Sequence, residues 1–555
     1  MLMSWLFLKF VILTQYRSRF YHFPAAASNI RKMPTIERIS ATWQTIKSPP
    51  RYLVACGIVA MVGLLNGLDT GTIGPVTAMS SFAATFGALS STMHGLVVSS
   101  VLLTTTLASL FGGAISDRIG RPRTIVIGAC LFAIGAAIEA SSVTLAMFIA
   151  GRCIAGLGQG TNFSTLVVYI CEISPPSKRG PLASSVQLLI CMGIMVGYFI
   201  CYGTVNIASS LSWRLPLALQ AAIATIGAAA SAVWLPHSPR WLAHKGRREE
   251  ASRVWDLLGV SAAEREKDLL ENPEAMVAES NELAELPAVH TTALDTGFLA
   301  RLRRNGEKST SVFGREGRRQ MVLGVFMMAM QQLSGIDGVL YYAPLLFRQA
   351  GISSAEASFL ASGVSAILIF VSTIPAILLS DIWGRRASTL WGGVVICASM
   401  ALIGSLYASD SVHATSGAGR WVVIVTIYIF VLAYCMSWAV GFKIFACEIQ
   451  PIASRATATS LGQAANSITN FGVAFVTPVL LARSSSAVYF LFGGASTLTL
   501  VVCVLFMPET KGRSLEGIGE AFRVHRVGGG GVEKVVKRVK RWVGFGGVVR
   551  AGRWE

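Results

Sequence analysis

Apolar stretches of about twenty residues, the length a helix needs to cross a ~30 Å hydrocarbon layer, recur along this chain. They lie near 53–78, 94–115, 124–142, 144–170, 182–204, 214–235, 320–346, 356–379, 388–408, 420–446, 456–481 and 486–507. The connections between them are short and polar, except for residues 236–319. That segment is long, mixed in charge, and carries amphipathic patches such as Glu249–Gly259. Six apolar stretches precede it and six follow. A helix satisfies its own backbone hydrogen bonds in lipid, so the pattern predicts an all-α membrane protein of twelve transmembrane helices. The expected division is a cytoplasmic amino-terminal segment (1–52), a six-helix bundle (53–235), a cytoplasmic linker with short helices (236–319), a second bundle (320–507) and a basic cytoplasmic tail (508–555).

Composition agrees with this class. The 555 residues are 53% hydrophobic and 14% charged, where soluble domains average roughly 25% charged. The formal net charge is +18, and its placement sets the orientation. With the amino terminus inside, the inner connections collect Arg118, Arg121, Arg123, Lys178, Arg179, the 236–319 segment, Arg385, Arg386, Arg455 and the tail. The outer ones hold only Arg214, Arg348, Arg420 and Arg483, so both termini are predicted cytoplasmic. A multi-pass protein of the plasma membrane is expected. Nucleic acid is not an expected partner, because the cations flank apolar spans and form no basic domain. The Gly-rich tail, with Lys534, Lys537, Arg538, Lys540 and Arg541, reads as a segment lying near an anionic inner leaflet.

Residues 1–32 admit three readings: a signal-like segment, an interfacial helix, or an artefact of the gene model, with Met33 as a sensible alternative start. The last is preferred, since a cleaved signal conflicts with a cytoplasmic amino terminus. The ten cysteines fall within or at the ends of the spans and read as small packing residues, with no disulfide framework. Scattered histidines support no metal site, no Walker loop supports an ATP-driven pump, and no cofactor is expected. The run Gly156, Gly158, Gly160 lies inside an apolar span, where close helix packing is the better reading.

A short charged set occurs twice, once in each half. The first copy is Asp117-Arg118-Ile119-Gly120-Arg121, then Glu172 with Arg179, then Pro236-His237-Ser238-Pro239-Arg240. The second is Asp381-Ile382-Trp383-Gly384-Arg385-Arg386, then Glu448 with Arg455, then Pro508-Glu509-Thr510-Lys511-Gly512. Duplication of this kind suggests two similar halves moving against each other. Asp117 with Arg121, and Asp381 with Arg385, are placed to latch neighbouring helix ends. Glu172 and Glu448 face basic residues, Arg179 and Arg455 among the candidates. Such pairs form when the inner mouth is shut and break when it opens. The alternative is plain topology charge, but acidic residues add little to topology and yet recur in both copies.

These two copies, with Gly151–Gly160 and the segment Gln331-Gln332-Leu333-Ser334-Gly335-Ile336-Asp337-Gly338-Val339-Leu340-Tyr341-Tyr342, resemble the sugar porter family of the major facilitator superfamily over about residues 53–520. The resemblance implies the major facilitator fold, two pseudo-symmetric six-helix bundles around a central site reached alternately from each side. It also implies a small sugar or polyol as substrate and no covalent catalysis. Asp69, in Leu65-Asn66-Gly67-Leu68-Asp69-Thr70-Gly71, matches the acid that carries the proton in the family's symporters, and Arg152 matches the arginine that faces it. Ionised Asp69 would be held by Arg152 and protonation would release it; the alternative is a static buried ion pair. Gln187, Gln331 and Gln332 match sugar-binding glutamines, whose amides both donate and accept and so suit hydroxyls. Asn466, Asn470 and Trp438 match as well.

The second half departs from the family pattern. Asp337 stands at a usual Asn, Ile369 at another Asn, Ala439-Val440 at Gly-Pro, Ser467 at a Trp, and Lys443 at the Trp that normally covers the sugar. His237 stands at a usual Glu. Asp337 and Lys443 are expected either to pair across the cavity or to leave Lys443 free for a carboxylate. The reading is therefore a sugar or polyol carrier, with Asp69 and Arg152 coupling it to a proton. Gln187, Gln331, Gln332, Asp337, Trp438, Lys443 and Asn466 would line its site, and Asp117, Arg121, Glu172, Arg179, Arg240, Asp381, Arg385, Arg386, Glu448 and Arg455 would form its cytoplasmic gate. The alternatives are a facilitative uniporter, a carrier of an anionic polyol such as quinate, and a non-transporting sugar receptor.

Overall fold

The computed structural model describes residues 50–175, 178–261, 265, 317–352, 355–412, 417–450 and 455–510. Residues 1–49 and 511–555, most of the expected linker, and the side chains of Asp381 and Arg455 lie outside the described residues. The described chain is helical, with no strand among its residues.

The first half contains α1 (Arg51–Ala78), α2 (Ser80–Phe86), α3 (Ser91–Ile119), α4 (Arg121–Ser141), α5 (Leu145–Ile173), α6 (Arg179–Thr204) and α7 (Leu211–Trp234). Two short helices follow, α8 (Pro239–His244) and α9 (Arg248–Leu258). The second half contains α10 (Gly317–Leu333), α11 (Ile336–Tyr341), α12 (Ala343–Gln349), α13 (Ala355–Trp383), α14 (Arg385–Ala408), α15 (Gly419–Met436), α16 (Trp438–Glu448), α17 (Arg455–Arg483) and α18 (Ala487–Phe506). Eleven stretches among the described residues are long and apolar enough to span a membrane, with α10–α11 and α15–α16 each counted as one. The twelfth expected span is α5, which has the length but carries Arg152, Gln159, Asn162 and Thr165 buried inside the bundle. Its polar content belongs to the interior, so apolarity alone under-reports it. Outward faces expose Phe111, Ile226, Val233, Trp391 and Leu498, as a lipid-facing surface does.

Small residues set the helix spacing. A Cβ on Gly67 would sit 2.0 Å from the Ile190 carbonyl oxygen, and one on Gly193 2.3 Å from that of Leu64, so α1 and α6 touch backbone to backbone. Gly156 and Gly160 meet the Val101 and Thr105 carbonyls of α3 at 2.3 Å each, and Gly158 meets the Gly128 carbonyl of α4 at 2.4 Å. The glycine run is thus a packing surface that lets α5 lie against two neighbours at once. The halves join along α3 with α17 and α6 with α13, two seams related by the internal repeat. They also close at the carboxy-terminal end of α1, where Gly74 abuts the Tyr341 carbonyl and His94 of α3 meets the Tyr342 ring edge-on with centroids 5.2 Å apart. Tyr198 donates to the Leu340 carbonyl beside them.

Two spans of the second half are broken in mid-course. The chain turns at Gly335 (φ +85°) between α10 and α11, and at Ser437 (φ −128°, ψ −75°) between α15 and α16. Gly335 is required twice over, by its left-handed backbone and because a Cβ there would lie 2.2 Å from the Phe492 ring. Gly335→Ala should destabilise the folded protein by at least about 2 kcal/mol, read as a lower melting temperature of detergent-purified protein. An unchanged melting temperature would remove Gly335 as the determinant of the break.

Candidate functional site

The two helix breaks face a cavity of about 140 Å³ between the halves. Broken spans expose backbone polar groups that a continuous helix would consume, and such breaks are found where irregular backbone lines a cavity. Gln187 on α6 and Gln331, Gln332, Asp337, Lys443, Asn466 and Asn470 on the second half all reach it.

Several of these amides are already engaged. Gln331 donates through Nε2 to the Trp438 carbonyl at 2.8 Å and accepts at Oε1 from Asn466 Nδ2 at 3.0 Å. Asn466 also donates to the Met328 carbonyl at 2.8 Å and accepts from Gln332 Nε2 at 3.2 Å. This network ties α10, α16 and α17 together beside the α15–α16 break. Three fully buried side-chain atoms of the cavity residues remain without a partner: Asn66 Nδ2, Gln332 Oε1 and Asn470 Oδ1.

Two expectations are corrected. Trp438 does not line the cavity; it is fully buried, stacks on Phe442 with centroids 4.8 Å apart, and donates from its indole to the Thr389 carbonyl at 3.0 Å. The turn at Ser437 points its side chain toward α14, so it contributes its carbonyl to Gln331 instead. Asp337 and Lys443 do not pair directly: Asp337 Oδ2 accepts from Asn470 Nδ2 at 2.5 Å, while Lys443 Nζ donates to Gln187 Oε1 at 2.8 Å across the halves. Each found a nearer neutral partner on an adjoining helix.

Beside the cavity lies a buried charge cluster. Arg152 Nη1 donates to Asp69 Oδ1 at 2.5 Å, and Nη2 to the Val98 carbonyl at 3.1 Å. The same Nη1 is 3.7 Å from Glu139 Oε2. All three side chains are at least 95% buried, with exposures of 1%, 5% and 1% for Arg152, Asp69 and Glu139. One guanidinium therefore serves two carboxylates on different helices, α1 and α4. Glu139 Oε2 has no hydrogen-bond partner. Sequence reasoning missed Glu139 because the apolar run around it was placed at 124–142, which made it look like a charge at a span end. The signal that marked Asp69, an acid inside an apolar run, was present at Glu139 too.

Where the amino-terminal ends of α4 and α14 emerge, the expected gate residues form two related latches. Arg121 reaches Glu172 through Nε and Nη2, each at 3.0 Å, and Asp117 at 2.8 Å. Arg385 Nη2 donates to Glu448 Oε1 at 2.9 Å. Glu172 is thus gripped by Arg121 of α4, and Arg179 donates through Nε to the Cys171 carbonyl at 2.9 Å. Arg386 donates to the Val504 carbonyl at 2.8 Å. Arg240 sits on α8, at the start of the linker.

The latches differ in their third member. Glu509 accepts from the backbone N–H groups of Arg385 and Arg386 at 3.0 and 3.2 Å, capping α14. His237 occupies the corresponding place beside Gly120 at the start of α4, stacked on Trp241 with centroids 5.2 Å apart, and its Nδ1 has no partner. Burial, reinforced by Arg123 and Arg247 against an opposing Glu250, holds the His237 imidazole below the ordinary histidine value.

Comparison with known proteins matches residues 55–522 to the family described as "Sugar (and other) transporter". The chain is 30% identical over 469 residues to the glucose transporter GlcP of Staphylococcus epidermidis, across 84% of this chain and 96% of that protein. It is 29% identical over 492 residues to the high-affinity glucose transporter of Kluyveromyces lactis, across 85% of this chain and 86% of that protein. Among solved structures, it superposes with a TM-score of 0.65 and 25% identity on the proton:xylose symporter XylE bound to 6-bromo-6-deoxy-D-glucose, covering 85% of this chain and 99% of that one.

Two outcomes follow from this geometry. Arg152→Ala leaves two carboxylates buried without a cation and should cost about 3–5 kcal/mol, whereas Glu139→Gln removes one charge of an uneven set and should cost far less; melting temperatures would separate them. His237→Glu should cap α4 as Glu509 caps α14 and add about 0.5–1 kcal/mol near neutral pH. The gain should widen as pH falls through about 6.5, because the unfolded chain then takes up a histidine proton before the folded one does. A constant difference across that range would exclude His237 titration.

Proposed function

The chain belongs to the sugar (and other) transporter family, within the major facilitator superfamily, and on that premise we propose that it moves a sugar or related polyol across a membrane, coupled to a proton. The observation that carries this reading is an amide-lined cavity held between two pseudo-symmetric halves, with a buried, switchable charge cluster against it.

Alternating access needs two discrete packings of the same halves. The seams α3–α17 and α6–α13 are the surfaces along which the halves rock. At the carboxy-terminal end of α1 the Gly74–Tyr341, Tyr198–Leu340 and His94–Tyr342 contacts close one mouth. At the other end the Arg121–Glu172 and Arg385–Glu448 latches hold helix ends that must reorganise as the second mouth opens and closes. In the plasma membrane with both termini inside, the latches face the cytoplasm, consistent with their density of arginine.

The proton enters at Asp69. Ionised, it holds α1 to α5 through Arg152. Protonated, it loses the Coulombic part of that contact, and Arg152 keeps Val98 and gains Glu139 as its principal acid. The charge state of Asp69 thus biases how firmly α1, which carries Asn66 into the cavity, is held to its bundle. A conformational bias of this size requires only a differential interaction between the two states.

Uptake of labelled glucose and xylose by transporter-deficient yeast expressing this chain, with and without a protonophore, tests the reading. Accumulation abolished by the protonophore, and lost in Asp69→Asn while exchange of sugar down its gradient persists, is the expected result. Uptake indifferent to the protonophore would make this a uniporter and leave Asp69–Arg152 a structural pair.

A further inference from the structure

We infer that the cavity selects a sugar acid, an aldonate or uronate, over a neutral sugar, with Lys443 receiving the carboxylate; this rests on the transport reading above. The argument starts with what is free to bind. Gln331 and Asn466, whose amides suit hydroxyls, spend their groups on each other and on backbone carbonyls. A neutral sugar therefore meets fewer available amides than the number lining the cavity suggests.

What remains available has a different character. Lys443 is accessible within the cavity, and its ammonium makes one hydrogen bond, to the neutral Gln187 Oε1. No carboxylate lies within ion-pair distance of it among the described residues. An ammonium has three donors, so two stay open toward the cavity. A charged group in the middle of a span is costly to keep and marks a substrate path when it faces a water-filled space. Among the fully buried side-chain atoms of the cavity residues, one donor, Asn66 Nδ2, and two acceptors, Gln332 Oε1 and Asn470 Oδ1, also lack a partner. Their residues are more than nine-tenths buried and line the same cavity. A cation beside amide side chains matches a carboxylate with hydroxyls along a short carbon chain or ring.

Charge balance supports the same ligand. Lys443 and Asp337 cancel within the cavity of the free protein, and Asp337 is occupied by Asn470. A carboxylate brings one negative charge, and carriage with one proton makes the load neutral. That avoids the penalty of moving net charge through a low-dielectric interior.

The test is uptake of labelled D-glucose, D-gluconate and D-galacturonate by the same yeast near pH 6, where sugar acids are ionised, with cross-competition and surface abundance measured. The expected result is acid uptake that excess glucose competes weakly. Lys443→Gln should lower the acid-to-glucose uptake ratio at least about ten-fold, and Lys443→Arg, which keeps the charge, should hold it within about three-fold. Glucose uptake that neither acid inhibits at a hundred-fold excess would overturn the inference and leave the transport reading intact. So would an unchanged ratio in Lys443→Gln. Uptake of none of the three by abundant surface protein would overturn both, and if Lys443→Gln fails to reach the surface, the competition experiment on the unaltered protein still decides.

Discussion

An arginine inside a membrane bundle is the group the rest of this molecule must accommodate. Moving an unpaired guanidinium from water into a low-dielectric interior costs more than the net stability of a typical domain. Arg152 is at least 99% buried on its side chain, and two carboxylates and a backbone carbonyl from three other helices converge on it. For that to happen α1, α3, α4 and α5 must approach closely. The glycines of α5 and their small partners on α4 permit it; a Cβ on Gly151 would already touch Glu139. Charge pairing and close packing are therefore one constraint here.

The same economy governs the cavity. Beside the α10–α11 and α15–α16 breaks, Gln331 and Asn466 spend their amides on each other and on the Trp438 and Met328 carbonyls. Groups that read as substrate ligands by type act partly as scaffold. Of the groups left over, the exposed ammonium of Lys443 is the one that sets the charge the cavity can recognise. Substrate choice in such a site is decided by the remainder after internal hydrogen bonds are counted.

The two halves repeat a design with one substitution in it. Each has an arginine–glutamate latch at the start of a helix that follows a positive-φ glycine, Gly120 or Gly384. In the second half Glu509 completes the latch by capping the helix; in the first, His237 stacks on Trp241 and caps nothing. The halves are thus held with unequal firmness, which bears on which one yields first when the mouth opens.

Periodicity and composition determined the helical class, the spans and the repeated charge motifs, because each depends on neighbours in sequence and on the thickness of a membrane. Asp69 with Arg152, and the chemistry gathered at Gln187, Gln331, Gln332 and Lys443, were legible for the same reason: polar groups inside apolar runs stand out. Which partner each takes was not. Glu172 pairs with Arg121 of α4, Lys443 with Gln187, Trp438 turns to α14, and Glu139 joins Arg152. These contacts cross between helices, and they depend on how far each helix is rotated and how closely it approaches. Backbone contact at glycines such as Gly67, Gly158 and Gly193 sets that rotation and distance, and only the packed tertiary structure resolves it.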